Sequence, residues 1–131
     1  EDLTSWLSFI LEEWDKKPGI MYLLFKREKP DELIGSFSIG IDHFKSEVGY
    51  LVARPFWGQG YTTEVLRYWV DWSLTQPNIY RIGAVCDIDN PASAKVMLKA
   101  GMEYEGILKR WGVHPNISYE PRDVYSYAKT R

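Results

Sequence analysis

The chain has 131 residues and a mass of 15.3 kDa, which is enough for one domain and too little for two. Its 45% apolar and 26% charged residues belong to a packed domain and not to a disordered one. A net charge of −2 and a pI near 5.7 exclude a dedicated nucleic-acid binder, which carries a basic excess.

One cysteine, Cys86, excludes an intramolecular disulfide and a Cys-rich zinc centre. The only histidines are His43 and His114, so no metal cofactor is expected. No run reaches the roughly 18 apolar residues of a membrane span, and no leader peptide is visible. The expected setting is the reducing cytoplasm, with no membrane partner.

Residues 3–14 read as a helix, because Leu3, Trp6, Leu7, Ile10, Leu11 and Trp14 share one face. Pro18-Gly19 ends it. Three strands follow, at 20–26, 33–41 and 47–53, separated by polar turns and read as an antiparallel meander. Arg54 to Gly60 is a loop with two glycines, Gly58 and Gly60, and 61–74 is a helix with Val65, Leu66, Trp69 and Val70 inward.

Residues 80–88 form a strand. Asn90 then caps a helix that begins at Pro91 and ends at Gly101. Residues 104–113 and 123–129 are two closing strands, joined through 114–122 with its Pro115 and Pro121. This mixed order with a meander and interleaved helices predicts a layered α/β or α+β domain over 1–131.

The strand–glycine loop–helix step is the most informative local feature. A helix start presents unpaired N–H groups and the positive end of the dipole, and glycines there let a phosphate reach the backbone. It is not a dinucleotide fingerprint, because Thr63 stands where a third glycine belongs, and the chain has no Walker sequence. From the loop alone, a pyrophosphate cradle and a plain tight turn both remain open.

Trp57-Gly58-Gln59-Gly60-Tyr61-Thr62-Thr63-Glu64 is followed by Asn90-Pro91-Ala92-Ser93, then Gly101-Met102 and Glu105-Gly106. In this order and spacing the blocks resemble the GNAT superfamily of N-acetyltransferases, and more narrowly its RimJ/RimL-type branch. Glu47-Val48-Gly49-Tyr50 ahead of the loop and Asp123 near the end extend the resemblance over roughly 20–129. Pro55 stands where the superfamily usually has Gln or Arg, and Met102 replaces a common Phe. Met97 stands where many relatives carry a Tyr as acid for the departing thiolate.

The resemblance implies a mixed, mostly antiparallel central sheet with one splayed parallel strand pair and helices on both faces. The family's N-terminal strand has no counterpart in the chain. It also implies acetyl-CoA as cosubstrate, an amine acceptor and, from RimJ/RimL relatives, a homodimer.

By the same analogy the strands at 47–53 and 80–88 splay apart. N–H groups of Phe56, Trp57, Gly58, Gln59, Gly60, Tyr61 and Thr62 grip the pyrophosphate. The pantetheine arm lies along 50–53, with a backbone N–H at Leu51 or Val52 polarising the thioester carbonyl. Asn90 and Ser93 contact the coenzyme.

Acetyl transfer needs a neutral amine, and a free alkylamine has a pKa of about 10, so a base or a desolvating pocket is required. Glu47 is the first candidate base and Glu64 the second; each also fits as a solvated carboxylate, Glu64 beside a helix N-terminus. Ser93 is the candidate proton donor to the thiolate. Cys86 reads as a buried thiol, with an acetyl-cysteine intermediate as the alternative. Trp57, Trp111 and Tyr119 are candidates to shape the acceptor pocket.

The leading expectation is therefore an N-acetyltransferase in which an amine attacks the thioester directly. Two readings of another kind stand beside it. One is a non-catalytic acyl-CoA sensor, suggested by Met97 and the absent first strand. The other is a dimerisation domain using its aromatics and an open sheet edge.

Overall fold

The computed structural model describes residues 20–114 and 117–131. Six strands form one sheet, in the order β1-β2-β3-β4-β6-β5. They are β1 (Ile20–Phe25), β2 (Leu33–Asp42), β3 (Lys45–Val52), β4 (Arg81–Asp87), β5 (Glu103–His114) and β6 (Ser118–Thr130). A short 3-10 turn, Arg54–Phe56, and helix α1 (Tyr61–Thr75) lie between β3 and β4, and helix α2 (Pro91–Lys99) follows β4.

All neighbouring strands are antiparallel except β3 and β4, which run parallel. A parallel pair needs a crossover, and α1 supplies it. Their ladder pairs Lys45 with Arg81 through Val48 with Ala84. Beyond it β3 stays with β2 as far as Val52, and β4 stays with β6 as far as Asp87. The two parallel strands therefore part after Val48 and Ala84, as the resemblance implied.

Strand alternation sets the faces. Phe37 and Ile39 of β2, Val48 of β3 and Ile82, Ala84 and Cys86 of β4 point into one core. Leu66 and Val70 of α1 and Met97 of α2 close it. Ser46 reaches Ser73 of α1 at 3.4 Å, so the even-numbered side chains of β3 face the helices. Glu47 and the other odd-numbered positions face the opposite side. The described helices α1 and α2 thus share one face; the helix expected at 3–14 lies outside the described residues.

Gly35 is required where β2 crosses the end of β3, because a Cβ there would stand 2.0 Å from the Leu51 carbonyl oxygen.

The connection expected over 114–122 is corrected. β6 begins at Ser118, and Gly112 pairs with Arg122 and His114 with Ser118. Pro121 is tolerated because the ladder is irregular there: its register shifts between Leu108 and Gly112. Arg110, at φ 51, turns its N–H to Asp123 Oδ1 at 2.9 Å. A bulge of this kind removes the need for a donor at the proline.

No helix of the described residues is long and apolar enough to cross a membrane. Among them no group of three or more His, Cys, Asp and Glu side chains could hold a metal ion.

Candidate active site

The gap between the diverging ends of β3 and β4 is the centre of the site. The Ala53 N–H donates to Ile34 O at 2.8 Å. By the alternation of an antiparallel ladder, the N–H and C=O groups of Tyr50 and Val52 then face away from β2 and toward the gap. Trp57 confirms the direction of one of them, because its indole Nε1–H donates to Val52 O at 2.5 Å. The Tyr50 and Val52 N–H groups remain the donors that look into the gap, while the Leu51 N–H turns back toward β2.

The chain leaves β3 through a preorganised loop. The N–H groups of Phe56 and Trp57 are bonded to Ala53 O and Arg54 O, which withdraws both from the expected cradle. Gln59 Nε2 donates to Pro55 O at 2.9 Å, and the Arg54 guanidinium stacks over the Trp57 ring at 5.3 Å. Gly58 (φ +73) and Gly60 (φ +84) take left-handed conformations, and Gly60 is the N-cap of α1. Such φ values favour glycine. A helix cannot satisfy its own first N–H groups, so those of Gly60, Tyr61 and Thr62 converge at an exposed, positively polarised helix start.

On the other wall Asn90 caps α2, its side chain accepting the Ser93 N–H at 3.2 Å, with Pro91 at the first helical position. This fixes Ser93 in the first turn, where Ser93 Oγ lies 2.7 Å from the Tyr50 phenol oxygen. Tyr50 stacks on Phe37 at 5.8 Å between ring centres. Burial pushes the Tyr50 phenol up to about 12, opposed in part by its hydrogen bond to Ser93. Burial likewise pushes the Cys86 thiol, which lies in the same core, up to about 11, opposed in part by its own hydrogen bond to Ser93.

Glu47 stands on the opposite face at the last stretch of the parallel ladder, paired with Gly83. Its carboxylate occupies the space that a side chain at 83 would take: a Cβ there would stand 3.2 Å from Glu47 Oε1. Glu64 is exposed in the first turn of α1.

Where the site is concerned, the sequence reading placed Tyr50 along the arm but missed its side chain. Its residue type suits a core strand, and nothing local pairs it with a serine 43 positions later. Met97 lies in the core at 1% exposure, and its thioether carries no proton to give a thiolate. Trp111 and Tyr119 are exposed on the β5–β6 hairpin. A hollow of about 330 Å³, lined by Ile88, Arg110 and Arg122 among others, lies beneath that hairpin at the end of β4.

Asp87, at 3% exposure, anchors this end of β4. The Arg122 guanidinium grips both its oxygens at 2.8 Å and also reaches Asp89 at 2.6 Å. Asp87 Oδ2 further accepts the Asp89 N–H at 2.9 Å. The turn that delivers Asn90 and Ser93 to the gap is therefore held by charge-assisted bonds.

The family model of the acetyltransferase (GNAT) domain matches residues 1–103. The chain belongs to the GNAT acetyltransferase family. This GNAT chain is 29% identical over 133 residues to the uncharacterized N-acetyltransferase YoaA of Bacillus subtilis (strain 168), covering 100% of itself and 75% of YoaA. It is 27% identical over 138 residues to the ribosomal-protein-serine acetyltransferase of Escherichia coli (strain K12), covering 93% of itself and 75% of that protein.

Its fold is also that of the microcin C7 self-immunity acetyltransferase MccE, solved with acetyl-CoA and AMP. The TM-score is 0.78 at 21% identity, over 100% of this chain and 73% of that one.

Proposed function

We propose that this GNAT domain, a single catalytic unit within 1–131, transfers the acetyl group of acetyl-CoA to a primary amine by direct attack on the thioester. The observation that carries the reading is the gap between β3 and β4, with a glycine-bearing helix start at one end and Ser93 on one wall. The solved complex of MccE with acetyl-CoA supports acetyl-CoA as the cosubstrate. The RimJ/RimL-type blocks and the likeness to a ribosomal-protein-serine acetyltransferase support that branch, with a protein N-terminus as acceptor.

The geometry supports the following roles. N–H groups from Gly58 to Thr62 hold the pyrophosphate, with Asn90 flanking the pantetheine arm. The arm runs beside Tyr50, Leu51 and Val52, and the gap-facing amides of Tyr50 and Val52 pair with it as an added strand pairs. The Val52 N–H donates to the thioester oxygen as negative charge grows there. Glu47 takes a proton from the amine, directly or through water, on the face opposite the helices. Ser93 donates a hydrogen bond to the sulfur as it leaves on the helix side. Base and donor thus stand on opposite faces of one strand gap, so the amine arrives from one side and the thiol departs toward the other. Glu64, exposed and turned to solvent, fits dipole compensation better than base catalysis.

The test is thiol release from acetyl-CoA with an amine panel holding a serine-initiated peptide, an alanine-initiated peptide and spermidine. Amine-dependent release, with acetylated product seen by mass spectrometry, is the expected result. Tight binding of acetyl-CoA with no release from any amine would favour the acyl-CoA sensor instead.

A further inference from the structure

We infer that Tyr50 is a positioning residue for Ser93: its phenol O–H donates to Ser93 Oγ across the strand gap and thereby turns the Ser93 O–H toward the departing sulfur. This rests on the acetyl-CoA reading above.

The two oxygens are 2.7 Å apart, a strong O–H···O distance. They come from the two walls of the gap, Tyr50 from β3 and Ser93 from α2. Neither is free to wander. The Tyr50 ring is stacked on Phe37, and Ser93 is tied through its N–H to Asn90.

Direction follows from proton inventory. A serine hydroxyl has one proton and two lone pairs. If Ser93 donated to the phenol, it would have no proton left for sulfur. The phenol is the stronger acid of the two and so the better donor. Its alternative acceptor, the Ser93 carbonyl oxygen, lies 3.5 Å away, at the limit of a bond.

With Tyr50 donating, one lone pair of Ser93 Oγ is occupied and the hydroxyl proton is directed away from the phenol, with the Cys86 thiol, which also hydrogen-bonds Ser93, as its competing partner within the protein. Burial keeps the phenol protonated up to about pH 12, so the donor is constant across the working range. In the transfer, the amine nitrogen bonds the acyl carbon and the C–S bond breaks with its electron pair on sulfur. Ser93 and Tyr50 keep their protons, and the thiolate takes one from water on release.

The experiment needs no acceptor. Free CoA and desulfo-CoA are titrated into the wild type, Tyr50→Phe, Ser93→Ala and the double variant by calorimetry, near pH 7 and near pH 9, around the ordinary thiol pKa of about 8.5. In the wild type the preference for CoA over desulfo-CoA should grow roughly threefold or more toward the higher pH, because a charge-assisted bond selects the thiolate. Tyr50→Phe and Ser93→Ala should each abolish that growth, and the double variant should match Ser93→Ala. Desulfo-CoA should bind all four proteins alike.

Growth retained in Tyr50→Phe overturns the inference. So does an equal weakening of both ligands, which marks a packing role. If neither ligand binds the wild type, the acetyl-CoA reading falls and this one with it.

Discussion

The Glu47 carboxylate lies over Gly83, filling the place where a side chain on β4 would stand. The pair sits at the last stretch of the parallel ladder, just before β3 and β4 separate. A missing side chain on one strand therefore makes room for a carboxylate from the other, beside the gap proposed to admit the substrate. Gly83→Val should push that carboxylate aside. The expected result is a fall in kcat of about tenfold or more, the lower part of what a general base contributes. The acetyl-CoA Kd should stay within about twofold, because the glycine loop is untouched. Glu47→Gln should lower kcat in the same way. Steady-state kinetics on an acceptor from the amine panel, with calorimetry for Kd, checks both.

The loop makes a separate prediction. Gly58 and Gly60 hold φ of +73 and +84 with nothing within 4 Å of an added Cβ. Substitution there costs backbone strain without collision, about 1–2 kcal/mol per residue. Gly60→Val should lower thermal stability by a few degrees and weaken acetyl-CoA binding at least about tenfold, since it tilts the N–H groups of the helix start. A denaturation scan and a titration on the same sample separate the two effects.

Alkaline pH should weaken the fold in a defined window. Burial raises both Cys86, to about 11, and Tyr50, to about 12. In the unfolded chain these groups lose protons near their ordinary values of about 8.5 and 10. Between the unfolded and folded values the native state binds more protons, so stability falls as pH rises. Stability should be flat below about pH 8 and decline toward pH 11. Cys86→Ala should flatten the first part of that decline in a urea-melt series. Near pH 8 only about one Cys86 in a thousand is thiolate, so iodoacetamide should react slowly. Cys86→Ala should also retain turnover, as direct attack requires; loss of all turnover with the fold intact would instead support an acetyl-cysteine.

Arg122 links stability to the site. Its guanidinium bonds both oxygens of buried Asp87 and reaches Asp89, at the turn that leads into α2. Arg122→Met should lower the melting temperature, because it removes the guanidinium that grips both oxygens of Asp87, itself at 3% exposure. Part of the loss should appear as weaker CoA binding, because the Asn90 cap follows that turn directly. Lys at 122 should recover only part of the stability, since an ammonium cannot bond two carboxylates in the same forked geometry.

Much of this architecture was legible in the residues themselves. Alternation marked strands at 33–41 and 47–53, although Ile34 to Phe37 are buried on both faces of the sheet. Gly58 and Gly60 marked the loop, and Asn90-Pro91 the start of α2, because each answers a local backbone requirement. Glu47 and Ser93 could be named as candidates but not placed on their faces, which depends on strand pairing between distant segments. The role of the Tyr50 side chain stayed hidden for the same reason: its partner is brought to it by the crossover through α1. Phe56 and Trp57 were misjudged as cradle donors because a 3-10 turn after β3 captures their N–H groups. Pro121 suggested a turn, and a bulge in the facing strand absorbed it instead.

The gap between β3 and β4 is proposed to bind acetyl-CoA through the helix start at Gly60. Titration calorimetry with acetyl-CoA tests it most directly. Micromolar dissociation that weakens sharply in Gly60→Val is the expected result. Absence of binding at millimolar ligand, from protein shown to be folded, would contradict it.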